Sequence, residues 1–465
     1  MTNTLSPPLS STEPSLQDYP SASIGWFSAA LLAFMYWLSV LDRTIISLLV
    51  DPIKQDLGIT DVQFGMLHGL AFAVTFSIFG LAAGTLADRY NRRMIIFISV
   101  TVWSLATAAC GMAQNFLQML LARVGVGAGE AGLTPCATSM LTDLFHPSKL
   151  TLAIAIYALG ASVGSGCAYL FGGILVDAVS QYETVALPVI GEVKPWQAVF
   201  YIIGIPGVAV AFLTFLIPEP KRRGQTTSQT ATPLTHSLLG GYRNLLAFMG
   251  QRKKFFFCHY AGFGFASMAF IGGAAWYPAH MSRTFGWDGT QIGLWLGIML
   301  VIAGFLGKLL CGNAVGFLYK KGHKDAQFIW YALCLVLAIP AGLIGLTSTD
   351  STVFLISIGI FLLLLSPVTA VYVSSLNLVT PNELRGSGVA FFSATVGLAA
   401  LSLGPILIAV FSEVFFGGES IGKGMAVVIG FSCPLAALFL LMGRQAMREA
   451  VSAADAWREQ DDNNK

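Results

Sequence analysis

Charge is the first thing this chain is short of. Asp, Glu, Lys and Arg together make up 11% of its 465 residues, against about 25% in a soluble domain. No single buried core could absorb the 55% of residues that are apolar, and a mean hydropathy of +0.71 excludes a disordered chain. Net charge is only +2, too little for a nucleic-acid binder, whose basic footprint would dominate the composition. None of the seven cysteines forms a CxxC or joins a histidine at metal-ligand spacing, so no metal and no cofactor is expected and the thiols read as packed. Residues 1–23 are rich in Ser and Pro and contain no Lys or Arg. A signal peptide needs a basic n-region, so a disordered cytoplasmic tail is expected there instead.

What is present is a series of long apolar runs. About 20 residues of helix cross about 30 Å of hydrocarbon. Twelve runs qualify, at about 24–50, 60–87, 94–113, 116–144, 149–178, 196–217, 255–282, 289–318, 327–347, 352–378, 385–412 and 422–443. We call them spans one to twelve. An even number puts both termini on one side. Nineteen of the 26 Lys and Arg residues fall in the connections and tail of that side, and four on the other. By the positive-inside rule both termini are cytoplasmic, in the plasma membrane or, for a bacterial chain, the inner membrane.

One long polar interruption, 219–254, separates spans six and seven. The chain thus divides into a tail (1–23), a six-helix bundle (24–218), a cytoplasmic linker (219–254), a second bundle (255–444) and a cytoplasmic tail (445–465). An internal repeat supports the division: HPSKLTLAIAIYALGASVG after span four resembles TPNELRGSGVAFFSATVG after span ten, aligning Pro147 with Pro381. GTLADRYNRR from Gly84 is echoed by GFLYKKGHK from Gly316, with Lys320 in place of Asp88. Two related halves around a central site are the plan of a secondary transporter.

GTLADRYNRR, residues 84–93, closely resembles the cytoplasmic signature of the major facilitator superfamily, between spans two and three as that family has it. The resemblance implies an all-α membrane protein with twelve transmembrane helices in two six-helix bundles. It also implies a conformational latch from Gly84, Asp88, Arg89, Arg92 and Arg93, in which Asp88 faces a helix N-terminus of the other half, near Asn382 to Arg385. LARVGVGAGEAGLTP in span four resembles that superfamily's R-x-x-x-G-x-G element through Arg123, Gly127 and Gly129. Its G-x-G-x-x-G lacks the strand a dinucleotide site needs, and GASVG in span five lacks the strand and partners of a nucleophile elbow. Both read as close helix packing through small residues.

The residues a membrane should reject carry most information. Asp42 and Arg43 fall in span one, and Arg123 and Glu130 in span four, where a central charge costs a few kcal/mol or more unless paired or wetted. Arg123, Gly127 and Glu130 follow i, i+4, i+7 and share one helix face. Two readings stand: a fixed ion-pair network holding the first half together, or a specialised site. The absence of comparable acids in the second half's spans favours the site. Lys308 reads as a residue snorkelling to the interface, and His68 and His259 as packed or interfacial near helix ends.

LDRT in span one, GTLADRYNRR, RVGVGAGEAG with the following Pro and LTDLF, VGSGCAYLFGG and WQAVFYIIGIPGVAVAFLTFLIPEPKR together resemble the spinster branch of that superfamily, across most of the first half. The resemblance implies transport of sphingosine-1-phosphate or lysophospholipid type, with Asp42, Arg43 and Glu130 facing a central cavity and coupled to protons. Substrate contacts are expected from Arg43, Arg123 and Glu130, and from Tyr372, Phe391 and Phe392 in the second half, whose aromatic character suits an amphiphile. The expected partners are that small amphipathic or lipid substrate, protons and membrane lipids, with no nucleic acid, in a monomer. Within transport the alternatives are an organic-anion or sugar-acid symporter or a multidrug exporter. An intramembrane lipid-modifying enzyme would need a Ser/His or His/Asp constellation at membrane depth, and the sequence shows none.

Overall fold

The computed structural model describes residues 20–188, 190–220, 222, 234–418 and 420–463. Most of the N-terminal tail and the first part of the linker lie outside the described residues. Helices occupy all twelve apolar runs. Eleven of them are long and apolar enough to cross a membrane: Ala22–Leu48, Asp61–Gly84, Arg92–Cys110, Leu152–Ser180, Pro195–Leu216, Lys253–Phe285, Gly289–Lys320, Ala326–Thr347, Ser351–Val379, Leu384–Phe416 and Ile421–Ala456. The twelfth, span four, is interrupted between Phe116–Glu130 and Leu133–Leu144. Pro135 explains the break, because a proline inside a helix has no N–H for the carbonyl four residues back. Span ten breaks equivalently, between Ser351–Leu365 and Val368–Val379, at Pro367. The two halves therefore share an irregularity as well as a sequence echo. Large apolar side chains such as Ile78, Phe305 and Phe415 are exposed on the outer faces, as a lipid-facing surface requires.

Small residues let these helices approach closely. A Cβ on Gly127 would collide with Thr75 and the Phe72 carbonyl of span two, and one on Gly129 would lie 2.5 Å from the Trp103 amide of span three. Gly160 and Gly164 seat span five on Ala33 and Trp37 of span one in the same way. Both glycine motifs are thus packing devices.

Two connections differ from expectation. The linker contains a helix, Leu234–Gln251, because Tyr242, Leu245 and Phe248 recur at three-residue spacing and give it an apolar stripe. Leu245 is fully buried and Phe248 nearly so. The last span continues without interruption into the tail as one helix, Ile421–Asn463. That extension is tied to the loop between spans eight and nine: Arg444 donates to buried Asp325 at 2.7 Å, and Lys324 to Asp455 at 2.8 Å. On the opposite side, β1 (Val185–Leu187) and β2 (Gly191–Val193) form an antiparallel hairpin between spans five and six.

We call the side bearing the linker the linker side and the other the far side. The halves meet along two seams. Gly65 of span two lies against Pro405 of span eleven, Gly69 against Leu401, and Ser77 donates to the Ala394 carbonyl at 3.5 Å. Beyond that, nothing lies within 4 Å of where a Cβ would stand on Gly80, Gly84 or Gly386. Spans five and eight behave alike: Gly173 contacts Gly289 and Gly293, Gly166 contacts Gly297 and Val301, and then Gly304, Gly312 and Gly316 face open space. Both seams are closed on the far side and part towards the linker side.

Candidate functional site

Tyr36, Ser39 and Arg43 sit three and four residues apart, so span one presents them on one face. Opposite stands Glu130, the last residue before the break in span four. Arg43 Nε donates to Glu130 Oε2 at 2.5 Å, the Ser39 hydroxyl donates to the same oxygen at 2.6 Å, and Arg43 Nη2 donates to Ser39 Oγ at 3.2 Å. Glu130's side chain is completely buried whereas Arg43's is 31% exposed, so the arginine is the member that reaches the gap. Its guanidinium lies 4.7 Å from the centroids of both Phe72 and Phe76, which stack on each other. Aromatic faces hold the cation while leaving donors for an anion.

Asp42, one residue along, points about 100° away into the first bundle and is 3% exposed. Its Oδ1 has no hydrogen-bond partner, and neither do Nε and Nη1 of Arg123, which is also buried. Arg123 and Glu130 lie within electrostatic reach of Asp42. Arg123 approaches Phe72 from its own side, 6.0 Å from the ring, so Phe72 receives both arginines. The expected set is brought together, but Arg123 is 1% exposed and enclosed within the bundle, because the helix face carrying it packs on spans two and three.

The second half contributes aromatic rings. Tyr372 stacks on Phe392 at 4.2 Å, and its hydroxyl lies 3.4 Å from Ser393 Oγ. Tyr372 and Phe391 are half-buried. Phe392 is only 2% exposed, so it backs the wall rather than lining it, since adjacent helix positions face different ways. Behind it, His259 Nε2 is 2.9 Å from Ser375 Oγ in a core of phenylalanines. His259 is therefore packed, as expected. His68 departs from expectation, since it lies within span two in a π-helical turn, Met66–Leu70, rather than near a helix end.

The expected latch residues behave unevenly. Arg92 is 1% exposed and pairs with Asp143, with Glu219 at 2.8 Å and with the Pro220 carbonyl at 2.7 Å. These contacts tie span three to span four and to the start of the linker, so Arg92 braces the first half and is not an inter-half contact. Arg93 lies over Phe215 of span six and its amide donates to Glu219. Arg89 is half-buried, Gly84 faces open space, and the side chain of Asp88 lies outside the described residues.

An inter-half cluster on the far side was missed. Arg283, near the end of span seven, donates to Asp51 Oδ1 at 2.7 and 2.9 Å and to both carboxylate oxygens of Asp61 at 3.0 Å. Lys54 also pairs with Asp61. Glu413 accepts from the Val62 amide at 3.1 Å, and Asp177 accepts from the first two amides of span eight. Positions so far apart in sequence carry no signal before the halves are docked. Among the described residues no three His, Cys, Asp or Glu side chains gather as a metal site would need.

Comparison with known proteins places this geometry. The Major Facilitator Superfamily profile matches residues 32–377. An MFS-type efflux pump of Mycolicibacterium smegmatis is 26% identical over 87% of this chain and 89% of its own length. Protein spinster homolog 3 of Danio rerio is 28% identical over 56% of this chain and 48% of its own. The crystal structure of a bacterial homolog of the human lysosomal transporter Spinster, inward-facing and unoccupied, superposes with a TM-score of 0.74 at 25% identity, covering 93% of this chain and 98% of that one. With two six-helix halves, seams that part on one side and an ion pair between Arg43 and buried Glu130 at the gap, the chain belongs to the major facilitator superfamily of transporters, and spinster proteins are among its relatives in both sequence and structure.

Proposed function

We propose that this transporter moves an anionic amphiphile of lysophospholipid or sphingoid-phosphate type by alternating access, coupled to protons. The observation that carries the reading is the half-exposed Arg43 shared with buried Glu130 beside an aromatic opposite wall. A guanidinium can pair with Glu130 or with a substrate's anionic head. Protonating Glu130 frees it for the second, so proton and anion binding at this site favour each other. Asp42, enclosed beside Arg123 with unpartnered polar atoms on both, is a second carboxylate behind the pair. The linker side, where Lys and Arg concentrate, is cytoplasmic, which makes the structure inward-open with both termini inside the cell. In the outward-open state the linker-side ends of spans two and eleven close, and Asp88 then meets the start of span eleven. The site is complete within one chain, so a monomer suffices, and transport requires no covalent chemistry on the substrate.

A second reading has its own support. The Bacillus subtilis relative is a hexuronate transporter, 24% identical over 84% of this chain, and Arg43 would serve a carboxylate as well as a phosphate. Flux into proteoliposomes under an imposed pH gradient separates them. Lysolipids and sphingoid phosphates should be carried, and hexuronates and cationic drugs should not. Hexuronate flux without lysolipid flux would select the sugar-acid symporter, and flux of either kind that ignores the pH gradient would remove proton coupling.

A further inference from the structure

The linker helix Leu234–Gln251 lies against span eleven: Leu245 packs at Gly388, and Tyr242 stands over Phe391 with ring centroids 6.0 Å apart. From there aromatic contacts continue inwards. Phe391 meets Tyr260 at 6.4 Å, Tyr260 meets Phe392 at 4.9 Å, and Phe392 stacks on Tyr372 at 4.2 Å. The inner end, Tyr372, is within electrostatic reach of Tyr36 across the gap, and Tyr36 shares its face of span one with Ser39 and Arg43. One end of the series therefore stands opposite the cation that would hold an anionic head, and the other at the linker-side mouth.

Two properties distinguish the series from ordinary core. Tyr242, Phe391, Tyr260 and Tyr372 are each half-buried and only Phe392, which backs the wall between them, is enclosed, whereas rings that only fill a core, such as Phe263 and Phe328 nearby, are all fully enclosed. The rings also succeed one another from the gap to its rim, on the half opposite the charged pair. Apolar tails gain by lying along such a surface, by about fourfold in affinity per methylene fully removed from water.

Resting on the amphiphile reading above, we infer that the linker helix is a wall of the substrate path: Tyr242 caps the aromatic series along which an alkyl tail lies, and so sets the chain length the protein favours. Linker and transport site then become one unit, and Tyr242 is a specificity-determining residue outside both bundles. An anionic head at Arg43 fixes one end of the ligand. Only tails long enough to reach the mouth meet Tyr242, so its removal acts on long chains and spares short ones.

The test uses the full chain in nanodiscs and an n-alkyl phosphate series from C8 to C16, with inorganic phosphate and D-glucuronate as headgroup controls. Affinity is read for the wild type, Tyr242→Ala and Tyr242→Leu, the last keeping the helix docked should alanine disturb it. The wild type should bind more tightly with each added pair of methylenes. Tyr242→Ala should match it at C8 and lose about tenfold at C16, with Tyr242→Leu between. An equal loss at every length marks a purely structural role and overturns the inference, as does an unchanged C16 affinity in both variants. A wild type that binds glucuronate or phosphate yet gains nothing with chain length sinks the amphiphile reading itself. A wild type that gains with length while both variants follow it sinks only the role of Tyr242.

Discussion

Arg283→Gln should open the far side. Arg283 of span seven bridges Asp51 and Asp61 on the other half, through hydrogen bonds of 2.7–3.0 Å. The Asp51 arm is about one-third exposed, which limits it to at most about 1 kcal/mol. Asp61's side chain is 3% exposed, and a charge-assisted bond to such a group contributes about 1.5–3 kcal/mol. Part of that sum returns when Arg283 is hydrated in the open state, and Lys54 continues to neutralise Asp61 after the substitution. A net loss of about 2 kcal/mol for the closed far side follows, a shift of about 30-fold in the ratio of the two states. A far side closed in about 95% of molecules would fall to about 40%. Pulsed electron-electron distance measurements between spin labels at the far-side ends of spans one and seven read those populations. A long-distance component should appear in Arg283→Gln, less in Arg283→Lys, which keeps the charge but loses the fork. Raising the salt should weaken the wild-type clamp mainly through its exposed Asp51 arm. An unchanged distribution in Arg283→Gln at low and high salt would refute the reasoning, leaving glycine packing along the seams as what closes the far side.

Other perturbations test the remaining parts. Asp42→Asn should weaken pH-driven flux while expression stays near normal. Undiminished dependence on the gradient would leave Glu130 as the proton site without help from Asp42. Arg43→Gln should impair transport by stranding the buried Glu130 carboxylate, at a cost of about 3–5 kcal/mol, and Glu130→Gln by removing the proton-dependent hold on the partly exposed Arg43; additive effects in the double-mutant cycle exclude the pair from the mechanism. Asp88→Asn should shift the population further towards the open linker side by about 1 kcal/mol, visible as longer distances between the linker-side ends of spans two and eleven. Gly69→Val should weaken far-side closure with little loss of folding, since its side chain would collide with the Leu401 carbonyl across the seam only when the halves are docked; shortened far-side distances would contradict it.

Local chemistry in the sequence determined the membrane architecture. Hydrocarbon thickness imposes a length and a composition on each span, so twelve runs could be located within a few residues without knowing their neighbours. The same cost of burying charge marked Asp42, Arg43, Arg123 and Glu130 as residues needing partners, and the glycines of span four as contacts. Partner identity is not a local property. That Arg43 takes Glu130 while its neighbour Asp42 turns inwards depends on which face of span one meets span four. That Phe391 is half-exposed and Phe392 enclosed is one helical step of 100°. The linker helix was hidden because its short apolar stripe is stable only when docked on spans seven and eleven. Arg283, Asp51 and Asp61 are ordinary interfacial charges in one dimension, and become a clamp only when two halves more than 200 residues apart close on each other. Tertiary structure decided the pairs and the open side, because both depend on how the halves are docked, and docking is a property no single span encodes.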